Sequence, residues 1–101
     1  MIARLWQGVV PAAKEAAYRA FLERDVLPEY RGTPGNRGVL VLRREEGEHV
    51  RFLLISQWDS LDAIRAFAGD DVERAHYQPA ALKFLVDPEP FATHYEVLPD
   101  S

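Results

Sequence analysis

The sequence contains no cysteine, no long hydrophobic run and no excess of positive charge. Without cysteine the chain has no disulfides, no thiolate metal ligands and no cysteine nucleophile. No apolar stretch reaches the ~20 residues that a membrane-spanning helix needs, and the first residues lack the pattern of a signal peptide. A net charge of −4 leaves no basic surface for nucleic acid. We therefore expect a cytoplasmic protein with no membrane or nucleic-acid partner.

Motifs for metals and phosphates are also missing. The histidines show neither the i, i+4 spacing nor the alternate spacing of a metal-binding pair. Gly32, Gly35 and Gly38 lie between a helix and a strand, whereas a phosphate loop joins a strand to a helix. We expect no metal and no cofactor.

The pattern of apolar residues predicts a single domain over residues 1–101. A first helix starts at Pro11 and is ended or kinked by Pro28, a second has Ser60 as N-cap and Gly69 as its stop, and a short third one opens at Pro79. Strands are predicted at residues 2–10, 39–44, 50–58 and 91–98. The order β-α-β-β-α-β predicts an α+β, ferredoxin-like split sheet, mostly antiparallel, with the helices on one face.

Two of these strands are apolar on both sides. Val39 and Val41 have one parity and Leu40 and Leu42 the other, and residues 52–55 repeat the pattern. With helices on one face only, the second face would be left in water. The sequence therefore predicts a homodimer in which two sheets stack.

The chain resembles the antibiotic biosynthesis monooxygenase family, in particular its small bacterial members. The resemblance is carried by residues 3–8 (ARLWQG), 58–64 (WDSLDAI), 66–71 (AFAGDD) and 94–97 (HYEV), and it extends over nearly the whole chain. It implies a dimeric α/β barrel that binds a flat aromatic molecule or a haem between sheet and helices. It also implies a cofactor-free reaction in which a deprotonated phenol or quinol passes electrons directly to O₂.

That chemistry needs a base, donors that stabilise a phenolate, and an apolar pocket. His94 is the candidate base, the alternative being a strand histidine bonded to its neighbours. Tyr77 is a candidate catalytic donor, or merely covers a helix end. His76 is a candidate substrate contact, or a solvent-exposed loop residue.

The remaining candidates for substrate binding are Arg4, Trp6, Trp58 and Phe67. The two tryptophans could stack on a flat ligand or simply anchor the core. Arg4 shares a strand face with Trp6, and its charge needs either a substrate anion or a carboxylate such as Glu96.

The haem-degrading relatives carry an asparagine on the first strand and a tryptophan and a histidine after the third. Here the single asparagine, Asn36, lies in a loop, and Phe67 and Tyr77 fall at the other two positions. The order of hypotheses is therefore a cofactor-independent monooxygenase acting on a small aromatic or quinol, then a non-catalytic dimer that binds a hydrophobic small molecule, then a haem binder or degrader.

Overall fold

The computed structural model describes residues 1–99 of the chain. Its strands are β1 (Ile2–Pro11), β2 (Asn36–Glu46), β3 (His49–Trp58) and β4 (Thr93–Glu96). Its α-helices are α1 (Glu15–Phe21), α2 (Leu27–Gly32) and α3 (Leu61–Ala68), and shorter 3-10 turns occupy Ala12–Lys14 and Pro79–Lys83. The strands form one antiparallel sheet in the order β2-β3-β1-β4. This is the predicted ferredoxin-like arrangement, and the fold prediction is confirmed.

A π-helical turn, Leu22–Val26, joins α1 to α2. Pro28 follows this turn directly, in the first turn of α2, and a proline inside a continuous helical segment removes one i→i−4 hydrogen bond. The segment does not end at Pro28, but it is widened into a π-helical turn just before it. Single π-helical turns inside helices are found frequently at functional sites.

The second helical region is smaller than predicted. Ser60 caps α3 as expected, because its side chain accepts from the N–H of Ala63, and Gly69 ends the helix with a φ of 95°. The helix predicted at residues 80–86 is only the 3-10 turn Pro79–Lys83. Residues 91–98 were predicted to form the last strand, but β4 pairs with β1 only over Thr93–Glu96.

Strand register decides which residues share a face. Trp6 lies opposite Leu54, while Leu5 lies opposite Ile55, which in turn pairs with Leu40. The side chains on the same side as Trp6 face the helices and form the core. Trp58 and Phe52 from the sheet and Ile64 from α3 are almost fully buried there. The side chains on the same side as Leu5 form the outer face, where Leu40 and Leu42 are exposed. Within the same residues, no helix is long and apolar enough to cross a membrane.

Candidate active site

A small cavity lies between the inner face of the sheet and the helices. Its volume is about 30 Å³, room for about two waters. The walls come from β1, β3, all three α-helices, the π-helical turn and residues 76–85: Trp6, Tyr18, Leu22, Val26, Glu29, Tyr30, Leu54, Phe67, His76, Tyr77, Gln78, Ala81 and Leu85. Aliphatic and aromatic walls with a few polar groups are typical of a small-molecule site.

Gly8 makes room for the indole of Trp6. A Cβ at position 8 would lie 2.3 Å from the Trp6 ring, so any side chain there would displace it. The indole N–H donates to the Tyr77 hydroxyl at 2.8 Å, and that hydroxyl donates to the carbonyl of Glu89 at 2.6 Å. The proton of Tyr77, predicted to be a catalytic donor, is therefore already used to tie residues 77 and 89 together.

Two tyrosine hydroxyls are the free donors of this site. Neither Tyr18 nor Tyr30 has a hydrogen-bond partner for its hydroxyl within residues 1–99. Burial is the main cause that raises the pKa of Tyr18 well above its usual range and that of Tyr30 to about 12. Both phenols are therefore protonated at neutral pH and can donate to a ligand oxygen.

His76 belongs to a hydrogen-bonded cluster at the rim. Its Nε2 lies 3.0 Å from Oε2 of Glu29, and its ring packs edge-on against Phe67 with 4.9 Å between centroids. The side-chain amide of Gln78 donates to the other oxygen of Glu29 at 3.2 Å and to the carbonyl of Asp25 at 2.7 Å. His76 is therefore not the freely solvated loop residue of the alternative interpretation.

Arg4 and His94 form a second cluster behind the wall. The Arg4 guanidinium donates to the carbonyls of Val72 and Arg74, and its Nη1 lies 2.9 Å from Nε2 of His94. Burial, and then the charge of Arg4, lower the pKa of His94. The carboxylate partner predicted for Arg4 is wrong, because Arg4 is held by two carbonyls and an imidazole.

Three predicted positions in the pocket wall need correction. Trp58 is fully buried, and its indole N–H donates to Ser56 Oγ at 2.9 Å, so it anchors the core. Arg4 and His94 lie outside the wall, although Arg4 stacks on Phe67 at 5.9 Å from the ring centroid. Trp6, Phe67, His76 and Tyr77 do line the cavity, and their roles stay predictions.

Sequence reasoning missed several wall residues, notably Tyr18, Tyr30, Glu29 and Gln78. Tyr18 falls on the apolar stripe of the first helix and was indistinguishable from the core. Glu29 looked like an ordinary surface carboxylate. The one available signal was the unusual helix, in which Pro28 sits inside an otherwise continuous pattern.

Comparison with known proteins agrees with this architecture. The sequence profile described as antibiotic biosynthesis monooxygenase matches residues 1–78, and the chain belongs to that family. No curated protein is significantly similar in sequence.

Several solved structures share the fold. A family member from Nitrosomonas europaea superposes with a TM-score of 0.72 at 20% identity, covering 97% of this chain and 99% of the other. One from Bordetella bronchiseptica gives 0.71 at 19% identity, covering 96% of each chain. The haem-degrader MhuD from Mycobacterium tuberculosis, with two haems bound in its active site, gives 0.65 at 21% identity, covering 100% and 99%. At such identities the likeness concerns the fold alone.

The residues of this chain do not fit haem in the arrangement observed. A cavity of about 30 Å³ would have to widen for a porphyrin, as it would for any polycyclic ligand, so the test of fit rests on the residues that could hold the iron. The Nε2 atom of His76, the one histidine in the wall, is bonded to Glu29. A haem iron would have to displace that carboxylate.

Proposed function

We propose that this protein is a cofactor-independent monooxygenase-type oxidoreductase that acts on a small aromatic substrate such as an anthrone or a quinol. The observation that carries the proposal is the combination of free phenolic donors and an imidazole with otherwise apolar walls. An apolar wall favours O₂ and excludes water, and the donors meet the charge that develops on a substrate oxygen.

The reaction balances without any group besides substrate and O₂. Loss of a proton converts the phenol or enol into an electron-rich anion, which reduces O₂. For an anthrone-type substrate, one oxygen atom replaces the two hydrogens of the reacting methylene as a carbonyl, and the other leaves as water. Both pairs of electrons for O₂ come from the substrate.

Tyr18 and Tyr30 are assigned to the developing phenolate. Their hydroxyls are protonated and unpaired, so donating to an anion costs no existing hydrogen bond. Trp6 and Phe67 supply flat surface for the ring. Since the cavity is small, the substrate must displace part of its wall.

A homodimer completes the proposal. The outer face of the sheet carries an apolar patch, formed by Leu5, Leu40, Leu42, Leu53, Ile55 and Tyr95. Leu40 is 56% exposed and Tyr95 57% exposed, values that a buried sheet interface would lower. We propose that a second copy covers this patch and that residues 1–101 act as one domain. We also propose that the protein works in the cytoplasm, a reducing compartment in which a chain without cysteine needs no disulfide.

Oxygen uptake with an anthrone or a hydroquinone tests the function. We expect uptake with the wild-type protein and a loss of about 10- to 100-fold in kcat/KM for Tyr30→Phe, which removes one donor but keeps the ring. Glu23→Gln, which changes an exposed side chain outside the cavity wall, is the control and should leave the rate unchanged. Quenching of Trp6 fluorescence without uptake would instead indicate a binding protein, and a stable Soret band with haemin would support haem binding.

A further inference from the structure

We propose that His76 is the catalytic base, that its Nδ1 takes the substrate proton, and that Glu29 and Gln78 are positioning residues that hold it. This inference rests on the proposed function and names the residues that start the reaction. The sequence had suggested His94 for this role.

The tautomer of His76 follows from its neighbour. A carboxylate oxygen 3.0 Å from Nε2 can only accept, so the neutral ring carries its proton on Nε2. The lone pair is then on Nδ1, which has no hydrogen-bond partner within residues 1–99. His76 lines the cavity, and we propose that Nδ1, the ring nitrogen not bonded to Glu29, is the atom that meets a bound substrate.

The carboxylate is itself held from several elements. Oε1 of Glu29 accepts from Gln78, whose amide nitrogen also donates to the backbone carbonyl of Asp25 in the π-helical turn. Both neighbours of that nitrogen are acceptors, which fixes the orientation of the amide. An imidazole oriented by a fixed carboxylate is the arrangement that general bases use, since the carboxylate stabilises the imidazolium that forms.

His94 lacks these properties. Its Nε2 lone pair faces the Arg4 guanidinium at 2.9 Å, so it is already used as an acceptor. A proton taken up there would place two cations side by side, and the pKa of His94 is lowered first by burial and then by the charge of Arg4. His94 is therefore a structural acceptor for Arg4.

The proton transfer is simple to write. The O–H bond of the substrate phenol or enol breaks, its electron pair stays on oxygen, and an N–H bond forms at Nδ1 of His76. The resulting imidazolium lies next to the Glu29 carboxylate, and the proton is returned to the reduced oxygen atom that leaves as water. The site therefore selects substrates with an acidic hydroxyl or an enolisable carbonyl.

Nuclear magnetic resonance of the histidine rings tests the geometry without any substrate. At about pH 9, where ordinary histidines are neutral, we expect the Nε2–H tautomer for His76 and the Nδ1–H tautomer for His94. The two rings should therefore give opposite ¹⁵N patterns. An Nδ1–H tautomer at His76 would overturn the proposal.

Steady-state oxygen uptake tests the role. Glu29→Gln replaces the carboxylate that stabilises the His76 imidazolium with a neutral amide, which also lies beside the donor amide of Gln78. We therefore expect kcat to fall about 100-fold with KM unchanged. Glu23→Gln, an exposed glutamate in the π-helical turn, is the matched control, and His94→Gln should also keep its rate. His76→Gln should lose turnover and still quench Trp6 on binding substrate.

The failures are distinguishable. If His94→Gln abolishes turnover and His76→Gln does not, the assignment of the base is wrong while the function stands. If the wild-type protein consumes no O₂ with any phenol, the function fails and the role of His76 as base fails with it, whatever the tautomers show.

Discussion

Both faces of the sheet carry apolar side chains, but the surroundings of the two faces differ. On the inner face Phe52 and Leu54 are at most 2% exposed, whereas Leu40 and Leu42 on the outer face are 56% and 41% exposed. Phe52 and Leu54 belong to the central strand β3, and Leu40 and Leu42 to the neighbouring edge strand β2. Apolar residues on both sides of a strand predict that both faces will be covered. The connections between the strands decide which face the helices of the same chain cover.

The inner face also contains polar groups, and apart from the buried Nδ2 of Asn36, which has no partner within residues 1–99, the buried ones have hydrogen-bond partners or line the cavity. Arg4 and Ser56 are buried there, the first bonded to carbonyls and an imidazole, the second to the Trp58 indole. Buried polar groups without partners would cost several kcal/mol in total. The faces therefore differ in polar matching as well as in exposure, and four measurements probe that comparison.

The largest effect is expected for Phe52→Ala on the inner face. Its ring is 1% exposed and packs edge-on against Tyr18 at 5.0 Å, so truncation leaves a cavity and should cost ~3–5 kcal/mol of unfolding free energy. Urea denaturation measures this cost. Leu82→Ala, at a 51% exposed position away from both faces, is the control and should cost less than ~1 kcal/mol. Equal costs would mean that the core lies elsewhere.

A smaller loss is expected for Ser56→Ala. The change leaves the buried indole N–H of Trp58 without an acceptor, at a cost of ~1–3 kcal/mol. Adding Trp58→Phe to Ser56→Ala removes the unpaired donor, so the two changes should be non-additive in a double-mutant cycle. Additive costs would show that the hydrogen bond contributes nothing.

On the outer face, Leu42→Arg should change association more than stability. The side chain is 41% exposed in the single chain, so its effect on the unfolding of a monomer should stay within ~0.5 kcal/mol. If two copies stack over this face, the charge should dissociate them and abolish the concentration dependence of Tm. Sedimentation of wild type and variant at micromolar concentration measures this. A monomeric wild type would refute the dimer.

The smallest effect concerns the pH dependence of stability at His94. Burial and Arg4 lower its folded-state pKa while Glu73 opposes them, so below the ordinary pKa of about 6.5 the unfolded chain binds more protons. This contribution to stability is complete above that pH and is lost as the pH falls toward the folded-state pKa. His94→Gln keeps an acceptor for Arg4 without titrating, so Tm should fall less on acidification. Parallel Tm–pH curves would contradict this assignment.

Much of the fold could be read from local patterns. Alternation correctly placed Arg4 and Trp6 on one face, and the Ser60 cap and Gly69 stop were found because capping depends on neighbouring residues. β4 was predicted to start too early because alternation begins at Phe91, whereas residues 91–92 pair with residues 73–74 and not with β1. The start of β4 depends on a partner strand some 90 residues away.

The candidate site was harder to predict because its polar groups meet across the fold. His76 and Glu29 are 47 residues apart, and Arg4 and His94 are 90 apart. Single-sequence reasoning could propose each histidine but could not tell which one keeps a free lone pair. Tyr18 and Tyr30 looked like core residues because an apolar stripe is the same whether it meets a packed neighbour or a cavity.

The sequence by itself determined the order of elements, their parity and the presence of two apolar sheet faces, because these follow from spacing along the chain. Only the tertiary structure decided that Trp58 is core while Trp6 lines the cavity, and that Arg4 binds His94 while Glu29 binds His76. Hydrogen-bond partners are chosen by distance in space, and distance in space is set by how the helices pack on the sheet.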